Sequence, residues 1–509
     1  MKNSRQIAIR VDASEVIGTG HFMRCLTLAD SLNAYYNDIT FICRHMPKHF
    51  QAEITTRGYH FSKLDGGSKE ESFQESSYYC DWLGVDQVVD AKATMRFLSQ
   101  NKFETLIVDH YALDNRWESA VRPMVDRIMV IDDLANRTHD CDILLDQNYY
   151  QDMEQRYRDL VPSCCTKLLG PRFALLRKSF LAMRKTTEVR SGQVKRLLLF
   201  FGGVDFHNYT TLAINALLSL DVKGVDVDVV IGRQHPFKKD IYRVCEEYGF
   251  TCHIQTDEIE KLMASADLSI GAGGTVTMER CCLGLPTMVV STAENQNQQV
   301  GDAAAAGLVY LISGYDDYTE AMKCHLRSLF QNEHLREHIS HTGMMLVDGK
   351  GCQRVTSFLN GQSIKIREAD SSDLEKIYEW RNHPDVRSVS RETEALSFEA
   401  HKEWFAKVLE SQKRLLLLGF LGDIPVGVVR FDIYDTSGEV SIYRTPISDS
   451  GLGHGLLMAA ENWLITNRPD ISVLMACVLE NNVSSHRLFA NAGYCIDQTS
   501  YRKRVNSDE

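Results

Sequence analysis

The fourteen cysteines of this 509-residue chain include no CxxC pair. Without that spacing, neither a zinc site nor a disulfide framework is indicated. The cysteines are scattered or adjacent, as in Cys164-Cys165 and Cys281-Cys282, and many fall in apolar segments, which suits a reducing compartment. A basic field is missing too: 56 Lys and Arg against 68 Asp and Glu leave a net charge of −12. Nucleic acid is therefore not an expected partner, and any nucleotide phosphate must be met locally by backbone amides and a few arginines. No apolar run is long enough to span a membrane, and no signal peptide is expected, since a strand is predicted almost at once. The expectation is a cytoplasmic protein without a membrane partner. Low-complexity tracts and short-period repeats are also absent.

Length and apolar content are what the chain does have. With 509 residues, 44% of them hydrophobic, it has room for about three domains with buried cores. Apolar strands are predicted at residues 7–12, 39–43, 105–109, 128–132 and 143–145, with helical segments between them. A charged stretch around residue 190 interrupts the pattern, which restarts with strands at 196–201, 227–231, 268–270 and 287–290. Strand–helix alternation with apolar strands implies parallel sheets covered on both faces. The predicted class is α/β, with two Rossmann-like domains (1–190 and 191–360) facing a cleft and ligands at the carboxyl ends of the strands. A helical segment near 320–358 closes that region. Residues 361–509 read differently, as a mixed α+β domain with strands at 364–367, 415–420, 426–432, 439–444 and 473–478.

The first strand runs into a glycine-broken turn, Ile17-Gly18-Thr19-Gly20-His21, and then an amphipathic helix to about residue 35. Phe22, Cys25, Leu26, Ala29 and Leu32 form its apolar face. His21 falls in the first helical turn, where free N–H groups attract anions and disfavour an imidazolium. A neutral imidazole beside an anionic leaving group is what water activation requires. The plainer alternative is that the glycines only make the turn and His21 caps it.

A second loop, Ala272-Gly273-Gly274-Thr275, follows the 268–270 strand and opens a helix. Paired glycines there let backbone approach a phosphate closely. Glu279, one turn in, is placed either to take both hydroxyls of a ribose or simply to face the helix dipole. Ala293-Glu294-Asn295-Gln296-Asn297-Gln298-Gln299 is an amide cluster that suits phosphate or a base edge, or else a solvated loop.

Several segments together resemble a specific hydrolase family. They are Arg10-Val11-Asp12-Ala13-Ser14, the turn to His21, Met23-Arg24, Val108-Asp109-His110-Tyr111 and Ile131-Asp132-Asp133-Leu134-Ala135. Phe201-Gly202-Gly203-Val204-Asp205, Gly273-Gly274-Thr275, Glu279 and Asn295-Gln296 complete the series. The family is the UDP-2,4-diacetamido-2,4,6-trideoxy-β-L-altropyranose hydrolases of pseudaminic acid biosynthesis, and the resemblance covers roughly residues 1–355. It implies a GT-B fold, water attack at the anomeric carbon of a UDP-linked amino sugar with UDP leaving, and His21 as the catalytic histidine. Gly273, Gly274, Thr275 and Glu279, with Asn295 and Gln296, would bind uridine and diphosphate. Asp12, Gly20, Arg24, Asp109, His110, Gly202 and Gly203 are the further expected substrate contacts. No metal is expected. Asp132-Asp133, the nearest candidate pair, is expected to fix loops or bind sugar.

In the last domain, Ser450-Gly451-Leu452-Gly453-His454-Gly455 follows the 439–444 strand and opens a helix. About thirty residues on comes Asn481-Asn482-Val483-Ser484-Ser485, with Ala490-Asn491-Ala492-Gly493-Tyr494 behind it. The pair resembles the acetyl-CoA signature of GNAT-superfamily N-acetyltransferases, as do Trp380-Arg381-Asn382 and His401-Lys402-Glu403-Trp404-Phe405. By that resemblance Gly451, Gly453, His454, Gly455, Asn482 and Ser485 would hold acetyl-CoA, with two splayed strands admitting the pantetheine. Ser450 stands where relatives carry Gln or Arg, and Phe489 where many carry the tyrosine that protonates the departing thiolate. Tyr443 is the substitute acid, or a packing residue. Together the two resemblances imply a bifunctional enzyme that acetylates a UDP-4-amino sugar and hydrolyses the product. A UDP-sugar glycosyltransferase with an accessory acetyltransferase, or a nucleotide-sugar sensor without chemistry, are the alternative readings.

Overall fold

A computed structural model describes residues 6–33, 36, 38–65, 79–203, 205–220, 224–292, 296–360, 364–390, 393–421, 424–446, 448, 452–479 and 482–495. Contacts divide the chain into two units, Met1–Thr356 and Ser357–Glu509.

The first unit holds two parallel sheets. Strands β1 (Gln6–Val11), β2 (Asp38–Cys43), β3 (His60–Lys63), β4 (Phe103–Asp109), β5 (Val125–Ile131), β6 (Ile143–Asp146) and β7 (Thr166–Leu169) lie in the order β3-β2-β1-β4-β5-β6-β7. Strands β8 (Arg196–Phe200), β9 (Asp226–Ile231), β10 (Thr251–Ile254), β11 (Leu268–Ala272), β12 (Thr287–Val290) and β13 (Tyr310–Ile312) follow β10-β9-β8-β11-β12-β13. The central strands are buried on both faces because helices cover both; Ile7, Ala8 and Ile9 are fully enclosed. Periodicity alone misses β3, β7, β10 and β13. These are short, and β3 and β10 are part-exposed edge strands (HFSK and TCHI) with no apolar run to announce them.

In each sheet the chain reverses direction of winding beside the first strand, between β1 and β4 and between β8 and β11. Loops diverge at such a switch point and leave a crevice at the strands' carboxyl ends. Four helices matter here and below: α1 (Gly20–Leu32) after β1, α2 (Val276–Cys282) after β11, α3 (Asn297–Ala305) after β12, and α4 (Leu452–Asn467) in the second unit. The expected apolar face of α1 is buried, and the helix stops at Leu32, three residues short of the expected end.

The second unit is one five-stranded sheet, β14 (Lys365–Glu368), β15 (Arg414–Leu421), β16 (Ile424–Tyr434), β17 (Ser437–Arg444) and β18 (Val473–Ala476), in sequence order. It is antiparallel except between β17 and β18. α4 packs Leu456, Leu457, Ala460 and Leu464 into the core of one face, and Ile377, Trp380 and Phe405 cover the other. No described helix in either unit is long and apolar enough to cross a membrane.

Candidate functional site

The turn after β1 is held by Ser14, whose carbonyl accepts from Gly18 N at 2.8 Å and whose hydroxyl accepts from Ile17 N at 3.1 Å. Gly18 sits at φ +81°, a conformation only glycine adopts without strain. That geometry delivers His21 into the first turn of α1, but His21 does not cap its own helix. Its Nδ1 lies 2.6 Å from Asp109 Oδ1, at the carboxyl end of β4. Arg24, one turn further along α1, reaches the same carboxylate with Nε at 2.6 Å and its terminal nitrogen at 2.7 Å. Burial alone would raise the Asp109 carboxyl, yet Arg24 and His21 outweigh it and hold it well below the usual carboxylate range. An ionised carboxylate cannot donate, so the short contact requires Nδ1–H on His21 and leaves the Nε2 lone pair free to accept. His21 also meets the Tyr111 ring edge-on, with centroids 4.5 Å apart, and Tyr111 stacks on Trp82 at 5.4 Å.

A cleft of about 200 Å³ opens over this imidazole. Gly20, His21 and Arg24 line it from the first half, Gly274, Thr275 and Gln296 from the second. Residues far apart in sequence thus converge across the two sheets. The rest of the wall is Ile17, Trp82, Tyr111, Leu134, Asn148, Tyr150 and Gln299, none singled out as a contact from sequence, and Asp133, expected to fix loops or bind sugar, beside Arg24. Tyr111, Asp133 and Gln299 fall inside segments read as informative above. Trp82, Asn148 and Tyr150 carried no local signal.

Several expected contacts lie elsewhere. Asp12 is fully buried; its Oδ1 accepts from the backbone N–H groups of Arg44 (2.7 Å) and His45 (3.1 Å), and Arg10 pairs with it at 2.9 Å. Burial works against its ionisation, but Arg10 and His110 hold the carboxyl far down. His110 is buried behind it, Nε2 3.3 Å from Asp12, and burial lowers its pKa. Both brace the loops after β1 and β2, because a strand-end carboxylate enclosed in the sheet satisfies backbone donors rather than solvent-side ligands. Asp109 is sealed beneath His21 and Arg24, off the cleft wall. Asp132 is enclosed as well, paired with Arg137 at 2.7 Å. Gly202 and Gly203 stay off the cleft wall; Gly232 packs so closely on Gly203 that a Cβ on Gly232 would sit 1.9 Å from the Gly203 carbonyl oxygen. Gly273 likewise packs beneath the wall, with room for no side chain beside Val300. Glu279, in the first turn of α2, is also off the wall; burial pushes its carboxyl up to about 7 against the pull of Arg177 and Arg280. Asn295 lies outside the described residues.

In the second unit, β17 pairs with β18 from Ser437 to Val440, then runs on to Arg444 with only β16 beside it. The pairing ends there because β18 stops at Ala476. Gly453, His454 and Gly455 occupy the first turn of α4, and a Cβ on Gly455 would lie 3.4 Å from Ile364 Cδ1. Gly451 and Ser450 lie outside the described residues. Asn482 caps the helix Val483–Asn491, accepting from Ser485 N at 3.0 Å. Tyr443 packs against the Ile377–Trp380–Phe405 cluster, and burial drives its phenol up despite Arg381 and Arg430. Phe489 is core, edge-on to Tyr494, whose hydroxyl donates to Glu461 at 2.7 Å.

Residues 363–494 match the family model described as Acetyltransferase (GNAT) domain. Over the first unit, the chain superposes on the structure of Phytolacca americana UGT2 complexed with UDP-2fluoro-glucose and pterostilbene, with a TM-score of 0.51 at 10% identity, covering 70% of this chain and 99% of that one. The chain joins a GT-B-like region to a GNAT domain. Sequence relatives divide the same way. The UDP-2,4-diacetamido-2,4,6-trideoxy-beta-L-altropyranose hydrolase of Campylobacter jejuni is 24% identical over 57% of this chain and 93% of its own length. Acetyltransferase PseH of the same species is 27% identical over 25% of this chain and 81% of its own. An uncharacterized protein of Methanocaldococcus jannaschii aligns through both the GT-B-like region and the GNAT domain, 24% identical over 96% of each chain. These homologues support an enzymatic function related to theirs.

Proposed function

We propose that the chain is a bifunctional enzyme of pseudaminic acid biosynthesis. Its GNAT domain transfers acetyl from acetyl-CoA to the 4-amino group of UDP-4-amino-4,6-dideoxy-N-acetyl-β-L-altrosamine. Its GT-B-like region then hydrolyses UDP-2,4-diacetamido-2,4,6-trideoxy-β-L-altropyranose to free sugar and UDP. The observation that carries the hydrolytic reading is His21, tied through Nδ1 to Asp109 and lining the cleft. With Nδ1–H fixed on the carboxylate, Nε2 takes a proton from water as its oxygen bonds to the anomeric carbon. The bond from that carbon to the diphosphate oxygen breaks, and the electron pair leaves with UDP. General-base assistance supplies about 10²- to 10⁴-fold, so donors around the departing diphosphate must supply the rest. The Gly274–Thr275 turn, with Gly274 at φ +91°, and the Gln296 amide are the groups proposed for it.

In the GNAT domain, the edge of β17 beyond Val440, unpaired with β18, offers backbone groups to the pantetheine, and the first turn of α4 with Gly453, His454 and Gly455, together with Gly451 before it in sequence, is proposed for the pyrophosphate. Asn482 and Ser485 would support the coenzyme arm, and Tyr443 is the candidate acid for the thiolate. A thiol of pKa about 8.5 needs little such help. A fused chain raises the local concentration of the intermediate shared by the two steps.

The test supplies the UDP-4-amino sugar and acetyl-CoA, then follows sugar masses and free UDP over time. His21→Ala should abolish UDP release and leave acetyl transfer intact. Loss of both activities together, or UDP release that requires a sugar or lipid acceptor, would overturn the assignment.

A further inference from the structure

The loop at 147–151, directly after β6, meets α3 of the second half at two points one helical turn apart. Gln299 Nε2 donates to Asn148 Oδ1 at 2.8 Å, with both residues buried. Asp302 Oδ2 accepts from the Gln151 backbone N–H at 3.2 Å. Between them, Tyr149 packs against the core cluster of the second half that includes Val300 and Ala303. The other end of the Asn148 amide donates to Asp133 Oδ2 at 3.2 Å, and Arg24 reaches that same oxygen at 3.0 Å. Arg24 in turn grips Asp109, which holds His21. On its other side, α3 is seated on the glycine turn: Val300 fills the space a Cβ on Gly273 would need, and the Gln296 amide rests against Gly274. One continuous path of hydrogen bonds and packing therefore links the Gly273–Gly274 turn to the imidazole.

We propose that the Asn148–Gln299 pair is the clasp that sets the distance between the base and the nucleotide-facing turn, making both residues positioning residues for the hydrolytic step, a role that rests on the reading above. Water attack needs reacting atoms within about 3–3.5 Å, and a misplacement of about 1 Å costs on the order of 10²-fold. An amide pair suits this task. It is directional and buried, and removing either partner leaves the other unsatisfied, so the two halves settle at one spacing.

The experiment uses the full-length chain with the UDP-linked diacetamido sugar and compares Asn148→Ala, Gln299→Met and the double variant. Each single change should lower kcat for UDP release by about 10- to 100-fold. KM and the affinity for UDP, measured by calorimetry with UDP itself, should stay within about threefold. The double variant should be no worse than the poorer single one, because both remove the same contact. Losses that multiply, or a matching loss of UDP affinity, would overturn the clasp. Hydrogen exchange supplies a readout independent of turnover: Asn148→Ala should speed exchange of the α3 amides, and unchanged α3 protection would refute the proposal. A wild-type chain that releases no UDP would sink the hydrolase reading itself, while the exchange result still decides the clasp.

Discussion

Replacing Asp109 by Asn tests the chemistry at its narrowest point. The carboxylate takes three short contacts, from His21 Nδ1 at 2.6 Å and from Arg24 at 2.6 and 2.7 Å. An amide of the same size can satisfy only part of that set. If its oxygen takes the Oδ2 place facing Arg24 Nε, its NH2 takes the Oδ1 place. There it meets the Arg24 terminal nitrogen donor against donor and faces His21 Nδ1, forcing the Nε2–H tautomer, so the lone pair points away from the cleft. If the amide turns over, its NH2 meets the guanidinium, donor against donor, in a buried site. In the first arrangement the base is lost at unchanged volume, and in both the carboxylate charge that stabilises the imidazolium formed on proton transfer is gone. A base held in the wrong tautomer loses about 10⁴-fold in the comparable Ser-His-Asp case, and general-base catalysis as a whole is worth about 10²- to 10⁴-fold. The expected loss in kcat for UDP release is therefore at least about 10²-fold, with UDP affinity little changed. Coupled-enzyme detection of UDP, together with calorimetric titration of UDP, measures both. Arg24 keeps its 3.0 Å partner Asp133, so the variant should still fold with a cooperative melt. A folded Asp109→Asn protein that hydrolyses within threefold of wild type would show that the imidazole tautomer is irrelevant, and the proposed mechanism would fall with it.

Other expectations concern stability and the second unit. Asp90 is fully buried and takes Arg10 at 2.9 Å, Arg44 at 2.9 Å and the Trp117 indole at 3.0 Å; Asp90→Ala should cost about 3–5 kcal/mol in denaturant unfolding. His139 is enclosed between Glu118 (2.7 Å) and Asp132 (3.9 Å), and although burial lowers its pKa, these carboxylates raise it to about 9. Its folded value lies above the unfolded one, so its stabilisation is complete below about 6.5 and is lost as pH rises through about 9. Melting temperatures between pH 6 and 9.5 should fall for wild type, and fall less for His139→Gln. Tyr443→Phe should leave the fold intact and lower acetyl-transfer kcat by about tenfold, followed by free thiol release; an unchanged rate would assign the side chain to packing.

The turn to His21 and the end of β4 are legible in sequence because each follows a strand buried on both faces, and an uninterrupted apolar run is a local signal. The glycines at 18 and 274 are legible for a similar reason, since positive φ is a property of one residue. The roles of Asp12, His110 and Asp109 are not. Whether a strand-end carboxylate faces a ligand or braces its neighbours depends on what the surrounding elements bring: Arg24 comes from α1, and Arg44 and His45 from the loop after β2. Edge strands such as β3 and β10 escape notice because half-exposed residues need no apolar pattern.

By itself, the order of residues determined which segments become strands, where each turn must be glycine, and which motifs end at a strand's carboxyl terminus. Tertiary structure alone decided which of those ends meet. The pairing of Nδ1 with Asp109, the aromatic wall of Trp82 and Tyr111, and the Asn148–Gln299 contact join residues from about thirty to more than 150 positions apart. Strand propensity and turn chemistry act over a few neighbours, whereas hydrogen bonds between loops exist only after the sheets have assembled and brought those loops together.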